Sequence, residues 1–598
     1  MARPPAFALR ACQEITAGPS RIVRQPTPAK WIRAKRFKST ETNPSGTTSY
    51  GKRYDISDSS AAGQSPLPSP SSASKPPSTL VPSIPHAHPA FTELANTLCG
   101  TLPCFGARGD EIHLLSSPEE FKTLLLDMIK RAKRRILISS LYIGVEETEL
   151  VEAIREALER RPQLRVTIIL DYHRATRLSN SGKYAPSTAH LLLPLLAKFG
   201  DRCDVWLFRS PKLRGLLEKI VPERYDEGWG TWHGKWYGVD DEVVISGANL
   251  AGSYFTNRQD RYIHFTSHPS LLSYLTTLTR LFSHYSYYLT ASPLPSVSRN
   301  HLVSLPSPPS SLQFFGSASL VWPQPSIHPR GFGRHAKATL TAFQRNWRES
   351  NPSRLRRVDV DTWFWPVIQA GVLGMKEEET ALGRVFDTVK TAHQTALTEE
   401  SPASNEKGKG KEGVAVDLTS GYFGLYKAYK RAVVESPAPF RLIAASPKAN
   451  GFYGSAGLSR LIPEGYTLLE SRFWADLVSR GRTWQAITSR GVRLREWEKE
   501  GWTYHAKGIW LSPAEPIGHP FMTFIGSSNL STRSLQLDTE LSLLLSTSSP
   551  SLRRALGNEV KSLDKHATDV SGETWQSEDR RVSFLAKVLV ALGVEGML

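Results

Sequence analysis

At 598 residues, 40% of them hydrophobic, the chain can bury a sizeable core and suits two packed domains or two fused halves. Its net charge of +18 favours anionic partners, whether nucleic acid, acidic lipid surfaces or phosphorylated small molecules, without choosing among them. Cys12, Cys99, Cys104 and Cys203 are too few and too scattered for a disulfide framework or a closed zinc site; a reducing compartment fits, and neither metal nor cofactor is expected.

Residues 1–40 hold nine Lys or Arg and one acid, Glu14, which reads as a transit peptide, with a basic tail as the plainer alternative. No apolar h-region follows the start, so secretion is not expected. Residues 41–88, rich in Ser, Pro, Gly and Thr, read as a disordered linker. An N-terminal half is expected over 89–300, where alternation begins: a helix over 119–135, a strand over 135–142, a helix over 147–160 and a buried strand over 164–171. After a Pro/Ser-rich break at 292–311 a second half is expected over 312–545, with strands near 358–365, 440–445 and 521–525. Within it, 399–414 is a solvated, disordered insertion. Residues 546–598 form a C-terminal helical segment; its apolar face, Phe584, Leu585, Val588, Leu589 and Leu592, suits core packing or a membrane surface. The fold class is α/β, and no apolar run reaches the roughly 18–20 residues that span a bilayer.

The chemistry concentrates in two places. His233, Lys235 and Asp240 form a His-x-Lys-x4-Asp pattern that leads into Ser246-Gly247-Ala248-Asn249, and His505 and Lys507 repeat it ahead of Gly526-Ser527-Ser528-Asn529. On a strand, residues two apart share a face, so each His and Lys would point at one ligand, and a hairpin would return the Asn to the same end. At a phosphodiester one imidazole can attack phosphorus while a second moves protons, and Lys and Asn donors meet the non-bridging oxygens. Eleven residues after Asn249 stands Asp260, and eleven after Asn529 stands Glu540, so each half supplies a carboxylate expected to hold its own histidine's other nitrogen. Asp240 has Ser512 as its counterpart, and its place in a turn suggests bracing that turn or Lys235.

These residues resemble the phospholipase D superfamily and, within it, the mitochondrial CDP-diacylglycerol–glycerol-3-phosphate 3-phosphatidyltransferases, over roughly residues 100–545. The likeness rests on Ser140-Leu141-Tyr142-Ile143-Gly144, the string from Leu170 to Arg177, Leu213 to Leu217, Pro222 to Tyr225, Ser246 to Leu250, and Ser253 to Tyr262. It implies two phospholipase D-like α/β sandwich halves packed around one shared active site. It also implies transfer of a phosphatidyl group from CDP-diacylglycerol to sn-glycerol 3-phosphate, giving phosphatidylglycerophosphate and CMP on the way to phosphatidylglycerol and cardiolipin. By that resemblance His233 is the nucleophile, forming a phosphatidyl-histidine, and His505 the acid and base, with the roles exchangeable. Arg174, Arg177, Arg258 and Arg261 become candidates for the substrate phosphates, against a plain reading as ion-pair arginines. The implied home is the mitochondrion, peripheral on the anionic matrix face of the inner membrane, with no nucleic acid partner. A hydrolase or serine-accepting synthase of the same fold, a DNA phosphodiesterase, and a scaffold with a decayed second motif are the competing readings.

Overall fold

The computed structural model describes residues 88–591 apart from 180–181, 216–217, 219, 222, 292–301, 307–317, 351–358, 400–412, 456 and 515–517. The transit peptide, nearly all of the linker, most of the 399–414 insertion, and Leu216, Leu217 and Pro222 fall outside the described residues.

In chain order the strands are β1 Phe105–Ala107, β2 Ile112–Leu115, β3 Arg135–Ser139, β4 Arg165–Asp171, β5 Cys203–Phe208, β6 Trp236–Val239, β7 Glu242–Ser246, β8 Arg258–Gln259, β9 Tyr262–Phe265, β10 Ser286–Thr290, β11 Leu302–Ser304 and β12 Ser319–Val321. They continue as β13 Thr362–Ala370, β14 Met375–Lys376, β15 Val414–Ser420, β16 Phe440–Ala445, β17 Val492–Trp497, β18 Thr503–Tyr504, β19 Lys507–Pro513, β20 Met522–Gly526, β21 Thr539–Thr547 and β22 Ala567–Asp569. One sheet runs β10-β5-β4-β3-β6-β7-β9-β2 and the other β22-β17-β16-β15-β19-β20-β21-β13, the same order of equivalent strands. In each, three strands are parallel (β3, β4, β5; β15, β16, β17) and the hairpin after the His-x-Lys motif joins antiparallel. The expected two α/β halves are the observed architecture.

Local sequence explains the elements. The helix Pro118–Arg131 starts at Ser117, whose hydroxyl accepts from Glu120 N at 3.1 Å, with Pro118 in the first turn, and it buries Phe121, Leu125, Met128 and Ile129 at helical spacing. β4 is covered on both faces and reads as a nearly continuous apolar run, Val166 to Leu170. Phe364, Ile368, Ile525, Leu541 and Leu543 of the second sheet belong to the same buried cluster as the first sheet's Ile136, Tyr237 and Ile263, so the halves share a core.

Chain order and spatial order part at the start. β1 pairs with β13, and Phe91, Leu94 and Leu98 of the preceding helical turns pack with Trp363 and Trp365, so residues 89–107 sit on the second half although the first was expected to begin at 89. The helix Pro550–Asp564, beyond the expected end of the second half, packs back toward β2 through Leu552 and Leu556.

Candidate active site

Each catalytic candidate histidine is held by the opposite half. Residues 231–233 run beside the start of β21: the Thr231 amide and hydroxyl both donate to Asp538 Oδ1 at 2.9 Å, and His233 N donates to Thr539 O at 2.9 Å. In the second half β18 pairs in parallel with β8, and His505 N donates to Gln259 O at 2.8 Å. The expectation that His and Lys share a strand face is therefore corrected. Both histidines lie just outside a strand, with Lys235 immediately before β6 and Lys507 opening β19, because the histidine backbone bonds across to the other half.

That docking crosses the carboxylates. His233 Nδ1 lies 2.8 Å from Glu540 Oε2, and His505 Nδ1 lies 2.6 Å from Asp260 Oδ2. The matched offsets suggested an acid within each histidine's own half; instead each acid, directly after the segment its partner docks on, meets the other half's imidazole. With Nδ1 engaged by a carboxylate, Nε2 is the nitrogen of each ring left for a ligand, weakly approached in His505 by Tyr254 OH and Lys507 Nζ at 3.5 Å. Burial works against both acids, yet His233 and Lys235 hold the Glu540 carboxyl down to about 2, and Lys507 and His505 hold Asp260 below its ordinary value. Burial and the Lys507 charge push His505 well below the usual imidazole range, so it rests neutral.

The halves differ in detail. Lys507 Nζ lies 3.4 Å from Asp260 Oδ2 and 2.6 Å from His505 Nδ1; the ionised acid makes Nδ1 a donor, so the lysine is held by the carboxylate. Lys507 fits there because residue 247 is glycine: a Cβ at Gly247 would stand 2.6 Å from Lys507 Cδ. The second half has Ser527 at that place, its hydroxyl donating to Glu540, and Lys235 Nζ donates instead to His233 O at 2.7 Å. The two sets adjoin, since Lys235 feels the charges of Glu540, Lys507 and Asp260.

Burial lowers the Lys235 ammonium to about 7 and that of Lys507 to about 8. As pH rises through these values the site loses two buried cations. We expect kcat/KM for a phosphodiester substrate to fall from about pH 7 and more steeply above about pH 8, and kcat, which reports the anion-bound enzyme, to fall only at higher pH. Alkaline limbs that coincide would count against this role of the lysines.

Asp240 is outside the reacting cluster. Its carboxylate accepts from the amides of Lys133 (2.8 Å), Arg134 (2.8 Å) and Arg135 (3.1 Å), and it sits at φ 52°, which bracing a tight turn permits. Arg261 is 1% exposed, ion-paired with Glu559 at 2.8 Å, and bonded to Phe524 O and Thr523 Oγ1 at 2.8 and 3.0 Å; its charge is spent riveting the halves, so it is no substrate ligand. Arg174 and Arg177 share Glu227, and Arg174 lies 4.3 Å over the Tyr142 ring. Arg258 lies 4.7 Å over Tyr254 and bonds Thr503 Oγ1 at 3.0 Å. Asn249 Nδ2 donates to Tyr254 OH at 3.0 Å; Asn249 and Asn529 each keep a buried carboxamide oxygen without a protein partner among the described residues, capacity that a ligand can satisfy.

Sequence reasoning missed an aromatic wall. Tyr254 and Tyr422 stand edge-on to His505, ring centroids 5.2 and 5.5 Å away, and Tyr254 OH lies 3.5 Å from its Nε2. The signal was available: Ser420-Gly421-Tyr422-Phe423-Gly424 repeats Ser140 to Gly144, and in both copies the serine hydroxyl donates to the tyrosine carbonyl at 3.0 Å. Among the described residues no group of three or more His, Cys, Asp or Glu is placed to hold a metal ion.

No family model matches the chain. It is 35% identical over 514 residues to the CDP-diacylglycerol–glycerol-3-phosphate 3-phosphatidyltransferase of Schizosaccharomyces pombe, covering 84% of this chain and 97% of that protein. It is 33% identical over 508 residues to the mitochondrial protein of that name from Homo sapiens, covering 82% and 84%. The crystal structure of a phosphatidylserine synthase from Haemophilus influenzae superposes with a TM-score of 0.57 at 18% identity, covering 85% of this chain and 99% of that one, a likeness of fold alone.

Proposed function

Because this chain belongs to the CDP-diacylglycerol–glycerol-3-phosphate 3-phosphatidyltransferase family, we infer that it transfers the phosphatidyl group of CDP-diacylglycerol to sn-glycerol 3-phosphate, giving phosphatidylglycerophosphate and CMP. The observation that carries the chemistry is the pair of crossed imidazole–carboxylate contacts, which fix the tautomer of both rings and leave Nε2 of each for the reaction.

In the mechanism we propose, His233 Nε2 attacks the phosphatidyl phosphorus as its bond to the CMP oxygen breaks, leaving a phosphatidyl-histidine. The glycerol hydroxyl then attacks phosphorus, its proton passes to His505 Nε2, and the bond to His233 breaks. One observation supports this assignment of roles. The His233 side chain is 11% exposed against 4% for His505, so it is the easier one for a bulky lipid phosphate to reach. Glu540 steadies the His233 cation formed with the intermediate. Lys235 and Lys507, with the remaining Nδ2 hydrogens of Asn249 and Asn529, are the proposed donors to the phosphoryl oxygens. Arg174, Arg177 and Arg258 are the proposed ligands of the outer phosphates, and Asp240 acts only as a brace.

The home that goes with this reading is the mitochondrion, as for the bovine, mouse and human relatives so named. We place the chain on the anionic matrix face of the inner membrane, as a peripheral protein that binds no nucleic acid. Among the described residues no helix is long and apolar enough to cross a membrane. We also propose that residues 1–40 are the transit peptide and 41–88 a linker to the catalytic halves.

Incubating the purified chain with CDP-diacylglycerol and glycerol 3-phosphate, serine or water tests the acceptor. Phosphatidylglycerophosphate is expected with the first alone; phosphatidic acid or phosphatidylserine as the main product would overturn the reading.

A further inference from the structure

The donor proposed above keeps its acyl chains in a bilayer while its pyrophosphate enters the protein, so the mouth of the site must meet a lipid surface. Two loops flank that mouth, each following the C-terminal end of an equivalent parallel strand, β4 and β16. In the first, Ser179 N donates to Pro186 O at 2.7 Å and closes a loop that exposes Leu178 (40%) and Tyr184 (37%). It leaves the site wall at Arg177, which shares Glu227 with Arg174 over the Tyr142 ring. In the second, Phe452 and Tyr453 are 36% and 57% exposed. The Phe452 ring lies 6.1 Å from Tyr422, whose own ring is 5.5 Å from His505, and a Cβ on Gly451 would collide with the Arg258 guanidinium.

Exposed aromatic and aliphatic side chains normally scatter singly; here they stand in equivalent loops of both halves, each adjoining the wall of the site. Charge agrees with the geometry. Residues 177–186 and 446–460 contain no Asp or Glu, and exposed Arg177, Lys183, Lys448 and Arg460 lie among the apolar tips, although Arg177 is paired to Glu227 and Lys448 lies 3.6 Å from Glu498. Apolar tips ringed by cations suit the boundary of an anionic bilayer, where the rings sit at headgroup depth and the cations meet lipid phosphates.

We propose that Leu178, Tyr184, Phe452 and Tyr453 form a rim that inserts into an anionic lipid bilayer and opens the active site onto its surface. The proposal rests on the phosphatidyltransferase reading for its lipid substrate, and binding can be read without catalysis. The test compares the full chain with a Leu178→Ser/Tyr184→Ser/Tyr453→Ser variant in sedimentation with phosphatidylcholine vesicles containing an anionic phospholipid. The control is Ile487→Ser. Ile487 is fully exposed at the bridge between Gln485 and Arg490, ahead of the N-terminal end of β17 and so at the opposite end of the sheet from the mouth.

Vesicle affinity should fall at least about tenfold in the triple variant and stay unchanged in the control. Transfer from vesicle-borne CDP-diacylglycerol should fall in step, while kcat on a short-chain, water-soluble CDP-diacylglycerol stays within about twofold of the parent. Unchanged vesicle binding by the triple variant, or equal loss in the control, would overturn the rim. A parent chain that binds vesicles through the rim but transfers nothing from either substrate form would overturn the phosphatidyltransferase reading and leave the rim standing.

Discussion

Replacing either His233 or His505 by alanine is expected to lower phosphatidyl transfer at least ~10²-fold, the low end of what general acid–base and nucleophilic groups contribute. The geometry gives the reason. Each imidazole is buried, held through Nδ1 by a carboxylate from the other half, and left with one ring nitrogen facing the site. Alanine also strands a buried carboxylate, which destabilises a fold for reasons unrelated to chemistry. The companion variants His233→Asn and His505→Asn keep a donor near Glu540 or Asp260 and lose Nε2, so they should be equally inactive at a nearly unchanged unfolding temperature. Steady-state formation of phosphatidylglycerophosphate, with far-ultraviolet circular dichroism for folding, measures both. Because both groups serve one reaction sequence, the double variant should be no slower than the worse single one. A His505→Asn chain with full activity would mean that the second motif is a remnant and the site works with one histidine.

The repeat was legible in sequence because phosphodiester chemistry restricts residue types sharply: His233 with Lys235 and His505 with Lys507 leave few other readings when each precedes an Asn that an acid follows eleven residues later. The elements were legible where periodicity is long. The expected helix over 119–135 is Pro118–Arg131, and the strand over 164–171 is Arg165–Asp171. The crossing was not legible, because Asp260 and Glu540 stand eleven residues after their asparagines whichever histidine they serve. Only the docking of residues 231–233 on Thr539 and of 503–505 on Gln259 decides it. Arg258 and Arg261 make the same point: two arginines three residues apart, one beside the tyrosine wall and one locked to Glu559. Residue type cannot separate them, since the distant partners that decide between them, Thr503 for Arg258 and Glu559 for Arg261, stand 245 and 298 residues away. The three-residue strand Phe105–Ala107 is too short to show which sheet it will join.

The crossing has its own kinetic signature. Glu540→Gln and Asp260→Asn should each lower turnover ~10²-fold or more by loosening the tautomer and orientation of one imidazole, but they should stop the reaction at different places. CMP leaves as a phosphate with a second pKa of about 6, so its departure needs little proton assistance, whereas the glycerol hydroxyl must lose its proton to attack. A chain impaired at His505 should therefore still form the phosphatidyl-histidine and fail to discharge it; a chain impaired at His233 should form none. With donor labelled at the phosphatidyl phosphorus and an alkaline denaturing quench that spares the P–N bond, Asp260→Asn and His505→Asn should both accumulate label on the His233 peptide. Glu540→Gln should carry none above background. If the roles of the two histidines are exchanged, the pattern inverts as a set, with Glu540→Gln and His233→Asn trapping label on His505. Label that accumulates in Asp260→Asn on the His505 peptide, or in Glu540→Gln on that of His233, would mean that each carboxylate serves the histidine of its own half.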